Sequence, residues 1–150
     1  MTRKLLAIGA IVGLTGCDST VPSVTAAPAQ QAAIQHITDN PQAPFSGAVV
    51  VGNTLYLSGK IGFSQDGENG IQPETRRAME RVKADMEANG SGMDRVIKCT
   101  VMLADMAEWG AMNEVYATFF PEGRRPARSA FGVSGLARDS RVEIECMAAL

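Results

Sequence analysis

Two hydrophobic periods run through this chain, one of two residues and one of between three and four, and they alternate in blocks. Ala48-Val49-Val50-Val51 and Thr54-Leu55-Tyr56-Leu57-Ser58-Gly59 flank Gly52-Asn53. That dipeptide readily takes the positive backbone angles of a tight turn, so the pattern predicts a β-hairpin. Residues 64–70 are polar and rich in turn formers, which predicts a loop. At Gln72-Pro73-Glu74 the spacing becomes helical, with a proline and an acid in the first turn, where both are tolerated. Thr75, Ala78, Met79, Val82 and Met86 fall on one stripe, and Asn89-Gly90 ends it. Residues 95–104 return to period two, with Ile97, Cys99, Val101 and Leu103 against Val96, Lys98, Thr100 and Met102. Asp105 caps a second helix, whose inner face carries Trp109, Met112, Asn113, Tyr116, Phe119 and Phe120. A turn over 121–125, a strand over 127–133 and a turn over 138–140 lead to a last strand over 141–149. There Val142, Ile144, Cys146 and Ala148 share one face, and Arg141, Glu143, Glu145 and Met147 the other. Ahead of the hairpin, Ile34, His36 and Thr38 alternate weakly with Gln35 and Ile37, an edge strand at best. Strand, strand, strand, helix, strand, helix, strand, strand is an α+β order, one sheet with helices on one face.

The start of the chain follows a different logic. Thr2-Arg3-Lys4 is basic, residues 5–14 are apolar but too few to span a bilayer comfortably, and Leu14-Thr15-Gly16-Cys17 follows. This resembles a bacterial lipoprotein signal peptide over 1–16, which implies cleavage before Cys17 and lipidation of that cysteine. The expectation is a protein of the bacterial cell envelope, anchored in a membrane through Cys17 and facing the periplasm; acyl chains contribute roughly 0.8 kcal/mol per buried CH₂. Residues 17–32, rich in Ala, Ser, Thr, Pro and Gln, read as a flexible tether, and 33–150 as one folded domain.

Composition narrows the chemistry. A net charge of −2, with no basic stripe or aromatic-basic interleaving, argues against a nucleic-acid partner. One histidine excludes a multi-histidine metal site. Cys99 and Cys146 fall on the core side of their strands and read as buried free thiols, while an oxidising compartment leaves a disulfide open. Charged residues are rarely buried unless paired or functional, so Arg128 and Glu143, each in an apolar strand, stand out. Arg128 offers a planar fork of donors to a carboxylate, and Glu143 an acid/base group. Together with Lys98, Thr100 and Glu145 they are expected on the helix-free side of the sheet, either solvated or buried against another subunit. Arg124, Arg125 and Arg141 read as exposed charges near turns.

Five segments carry a family resemblance: Val51-Gly52-Asn53-Thr54-Leu55-Tyr56-Leu57-Ser58-Gly59, Lys98-Cys99-Thr100-Val101, Asn113-Glu114-Val115-Tyr116 with Phe119-Phe120, Arg125-Pro126-Ala127-Arg128-Ser129, and Val142-Glu143-Ile144-Glu145. From Pro44 onward the chain resembles the Rid (YjgF) family. The resemblance implies a chorismate-mutase-like α+β fold and a homotrimer with sites in the clefts between subunits. It implies hydrolysis of small 2-imino or enamine acids to 2-oxo acids and ammonia, without metal or organic cofactor. Arg128 would grip the substrate carboxylate, Glu143 would position or activate water, and Gly59 and Asn113 would help hold the ligand. Three positions depart from the family pattern: Phe45 stands where the deaminases have tyrosine, Ala130 where cysteine is frequent, and Lys60 adds a cation beside the cleft. Phe45 and Ala130 are nonetheless expected at the substrate site. A non-catalytic, small-carboxylate-binding or accessory trimer is the alternative.

Overall fold

Period-two segments pair into one mixed sheet, and the helical segments cover one of its faces. A computed structural model describes residues 32–38 and 40–150, so the expected signal peptide, Cys17 and nearly all of the expected tether lie outside the described residues. The strands are β1 (Ile34–Ile37), β2 (Ala48–Val51), β3 (Thr54–Leu57), β4 (Lys60–Ile61), β5 (Val96–Leu103), β6 (Ala127–Gly132) and β7 (Val142–Ala149). The helices are α1 (Ile71–Ala88) and α2 (Trp109–Tyr116), and the sheet order is β1-β2-β3-β7-β5-β6, with β4 also on β7. Every pairing is antiparallel except β5 with β6. A parallel pair needs a crossover, and the segment containing α2 provides it.

The α1 stripe packs as its spacing predicts: Thr75, Ala78, Met79, Val82 and Met86 are all fully buried. They meet Leu55 and Leu57 of β3, Val101 and Leu103 of β5, and Val142, Ile144 and Ala148 of β7 in one core. Asp105 accepts from the Ala107 N–H at 2.8 Å, but the cap starts a 3-10 turn over Met106–Glu108 before α2 proper begins. Trp109 therefore sits in the first turn of α2 and is 45% exposed, not on the inner face as the spacing suggested. A bulge between Val96 and Lys98 takes Ile97 out of the ladder, leaving it exposed where alternation placed it in the core.

The cysteines correct the free-thiol reading. Register sets Cys99 of β5 directly opposite Cys146 of β7, their Cα atoms 4.1 Å apart, and the two form a disulfide. Such close approach belongs to the non-hydrogen-bonded positions of an antiparallel ladder. The bridge spans 47 residues, for which chain entropy alone assigns about 4 kcal/mol. Replacing both cysteines with alanine is expected to lower the unfolding free energy by about 2–4 kcal/mol, read from denaturant melts of the oxidised wild type and the double variant. Equal midpoints and slopes would contradict a stabilising bridge.

Candidate functional site

Register also decides which way the two charged candidates point. Residues directly paired on adjacent strands share a sheet face. Arg128 pairs with Cys99 and Ala130 with Val101, both buried under the helices, so Arg128 and Ala130 lie on the helix side of β6. Glu143 pairs with Met102 and Ile61 and alternates with the buried Val142 and Ile144, so it lies on the helix-free side. The expectation that both share the helix-free face is therefore wrong for Arg128. The candidate site is two half-sites on opposite faces of the sheet.

The first half-site lies where edge strand β6 passes under α2. Trp109, Asn113, Tyr116 and Ala117 follow one another at helical spacing and, with Arg125, Pro126 and Arg128, line an open cavity of about 400 Å³. Arg128 Nη1 donates to Asn113 Oδ1 at 2.6 Å, and its guanidinium carbon lies 4.8 Å from the centre of the Tyr116 ring. The cation–π contact and the amide fix the plane of the guanidinium and leave the rest of its donor fork for a ligand. Burial pushes the Tyr116 hydroxyl up to about 12, against the opposing pull of the Arg128 charge. It stays neutral at any physiological pH, so the arginine faces a ring and not a phenolate. The buried hydroxyl has no hydrogen-bond partner among the described residues. Ala130 packs against the core and lines neither half-site cavity.

The second half-site gathers Phe45, Ser58, Gly59 and Glu143 around a cavity of about 220 Å³. Ser58 ties the Phe45 loop down: its hydroxyl donates to the Ser46 carbonyl at 2.7 Å, and its N–H to the Gly47 carbonyl at 3.1 Å. Gly59 lets the carboxylate come close, because a Cβ there would stand 1.9 Å from Glu143 Oε1 and the Glu143 side chain would have to shift. The Glu143 carboxylate makes no hydrogen bond or ion pair with the described residues, and Phe45 is 63% exposed at the mouth. Lys60 does not face this cavity: its ammonium pairs with Asp85 of α1 at 2.5 Å, on the helix side. The cation expected beside the cleft is thereby withdrawn from it.

Two residues of the first half-site escaped the sequence reading. Tyr116 read as core, although its spacing of three from Asn113 puts both on one helix face. Arg125 read as a turn charge, yet it lines the same cavity as Arg128. Arg141, also read as exposed, is half tied down by Glu108, with Nη2 to Oε1 at 2.7 Å.

The fold and these motifs define an α+β protein with an arginine held under a helix by Asn113 and Tyr116, and with a glutamate behind the sheet that makes no ion pair among the described residues. The chain belongs to the Rid (YjgF) family: the family model described as "Endoribonuclease L-PSP" matches residues 35–150. The chain is 40% identical over 109 residues to the 2-iminobutanoate/2-iminopropanoate deaminase of Mus musculus, covering 70% of this chain and 80% of that protein. It is 36% identical over 109 residues to the human protein of the same name, covering 70% and 79%. The crystal structure of RidA from an Antarctic Psychrobacter bacterium superposes with a TM-score of 0.70 at 32% identity, covering 77% of this chain and 99% of that one.

Proposed function

We propose that this protein is an imine/enamine deaminase that hydrolyses small 2-imino acids to 2-oxo acids and ammonia. The observation that carries the reading is the pair of half-sites, an arginine aimed by Asn113 and Tyr116 and a glutamate seated on Gly59 that has no ion-pair partner among the described residues. The names of the mouse and human relatives support it. Because Arg128 and Glu143 point to opposite sides of one sheet, a single copy cannot bring both to one small substrate. The site is completed between copies, with Arg128 from one and Glu143 from the next, in a homotrimer. Exposed Tyr56 and Phe131 beside Met102 and Met147 give the helix-free face the apolar surface such an assembly covers.

In this site Arg128 holds the substrate carboxylate through charge-assisted hydrogen bonds. Glu143 accepts a proton as water oxygen bonds to the imine carbon, and the C=N π electrons move onto nitrogen. Nitrogen then takes up a proton from Glu143. Glu143 then passes the carbinol hydroxyl proton to that nitrogen as the C–N bond breaks, so its electron pair leaves on ammonia and the carbinol oxygen becomes the carbonyl of the 2-oxo acid. No electrons are gained or lost overall, so the reaction calls for no redox cofactor. Imines are intrinsically labile to water, so orientation and one proton relay suffice.

The same proposal places the protein in the bacterial cell envelope, held by lipidated Cys17. Among the described residues no helix is long and apolar enough to cross a membrane. The Cys99–Cys146 disulfide fits an oxidising compartment. Wild type expressed in a bacterium fed a labelled fatty acid should carry label, and Cys17→Ala should not; unlabelled wild type would sink the anchor.

The activity is tested by generating 2-iminopropanoate with an amino-acid oxidase and following its decay. Added protein should speed the decay in proportion to its concentration. Decay at the buffer rate, with 2-oxobutanoate still bound, would leave the non-catalytic carboxylate-binding trimer, a reading favoured by the absent hydroxyl at Phe45.

A further inference from the structure

The Arg128 cavity is more cationic than a three- or four-carbon monocarboxylate requires. In one copy it is an open half-site of about 400 Å³, which the next copy of the proposed trimer closes in part. Two of its lining residues, Arg125 and Arg128, are cations, and none is Asp or Glu. Arg128 is oriented by Asn113 and Tyr116. Arg125 forms no hydrogen bond or ion pair with the described residues, whereas Lys60 and Arg141 are both paired. Pro126, with its fixed φ, makes the link between the two arginines stiff. Trp109, Tyr116, Ala117 and Pro126 give the cavity an apolar wall. Two cations sharing one cavity repel each other, and a dianion spanning them relieves that repulsion while its methylenes lie on the wall.

We propose, resting on the deaminase reading, that this site selects 2-imino acids bearing a second carboxylate, with Arg128 taking the 2-carboxylate and Arg125 the distal one. The hydrolytic step is unchanged, and the product is a dicarboxylic 2-oxo acid.

Binding of 2-oxoglutarate and of 2-oxobutanoate is measured by calorimetry on wild type, Arg125→Ala and Arg125→Lys. In parallel, decay of the imino acids that oxidases generate from glutamate and from alanine is followed. Wild type should bind the dicarboxylate about tenfold more tightly, with a steeper salt dependence, since one charge-assisted contact at an exposed site is worth about one decade. Arg125→Ala should collapse that ratio, in binding and in kcat/KM, and Arg125→Lys should restore most of it. A ratio near one in wild type, or one unchanged in Arg125→Ala, overturns the proposal. So does an Arg125→Ala variant that alters oligomer mass without altering the ratio, since Arg125 then serves an interface. No binding of either oxo acid also overturns it. Turnover without dicarboxylate preference defeats the selectivity alone. Dicarboxylate preference in binding without turnover of either imino acid defeats the deaminase reading and leaves the selectivity standing.

Discussion

Arg128→Ala is expected to lower kcat/KM for 2-iminopropanoate by about 10²–10³-fold, most of it through a raised KM. Truncating one partner of a desolvated, hydrogen-bonded charge pair costs about 2–5 kcal/mol, and each 1.4 kcal/mol is a decade. Asn113 and Tyr116 hold the guanidinium in one plane before any ligand arrives, so little ordering is left to offset that gain. Arg128→Lys should recover only part of the loss, because an ammonium cannot present the planar fork. Steady-state kinetics with oxidase-generated imine check both variants. A kcat/KM for Arg128→Ala within about threefold of wild type would remove this arginine from the site.

Glu143→Gln is expected to act on the other parameter. The amide keeps the size and much of the hydrogen bonding of the carboxylate but cannot take a proton from water. A positioned acid/base group contributes about 10²–10⁴-fold. The loss should therefore appear in kcat, with binding of 2-oxobutanoate unchanged within about threefold. The substitution should leave stability nearly intact, since Glu143 makes no ion pair with the described residues. Its side chain lies over Gly59, where a Cβ has no room. Gly59→Ala should thus mimic the loss of kcat by displacing a carboxylate that is still present. Unaltered kcat in Glu143→Gln would assign the proton transfer elsewhere.

The fold was legible wherever one face of an element is wholly apolar. The α1 stripe from Thr75 to Met86 and the alternation from Val142 to Ala148 are buried as their periods predict. Legibility failed where position depends on a partner strand. The run Ala127-Arg128-Ser129-Ala130-Phe131 has no decisive apolar face, so only its parallel register on β5 settles that Arg128 lies under α2 and Phe131 on the far side. The disulfide failed to show for the same reason, since β5 and β7 can each be read alone but their register cannot. The two-residue strand β4 is too short to carry a period. It matters because it brings Gly59 against Glu143 and sends Lys60 to Asp85. For the site, the family motifs named Arg128, Glu143, Gly59 and Asn113. The chain alone could not show that the first and second face apart.

That opposition is the central claim, and mixing two inactive variants tests it most directly. Arg128→Ala and Glu143→Gln are each purified, unfolded together in equal amounts under oxidising conditions, refolded and assayed. If each cleft joins Arg128 of one copy to Glu143 of the next, random trimers rebuild about a quarter of the clefts, and about a quarter of wild-type activity should return. If the two residues act within one copy, the mixture should stay as inactive as its parents, and that result would contradict the account.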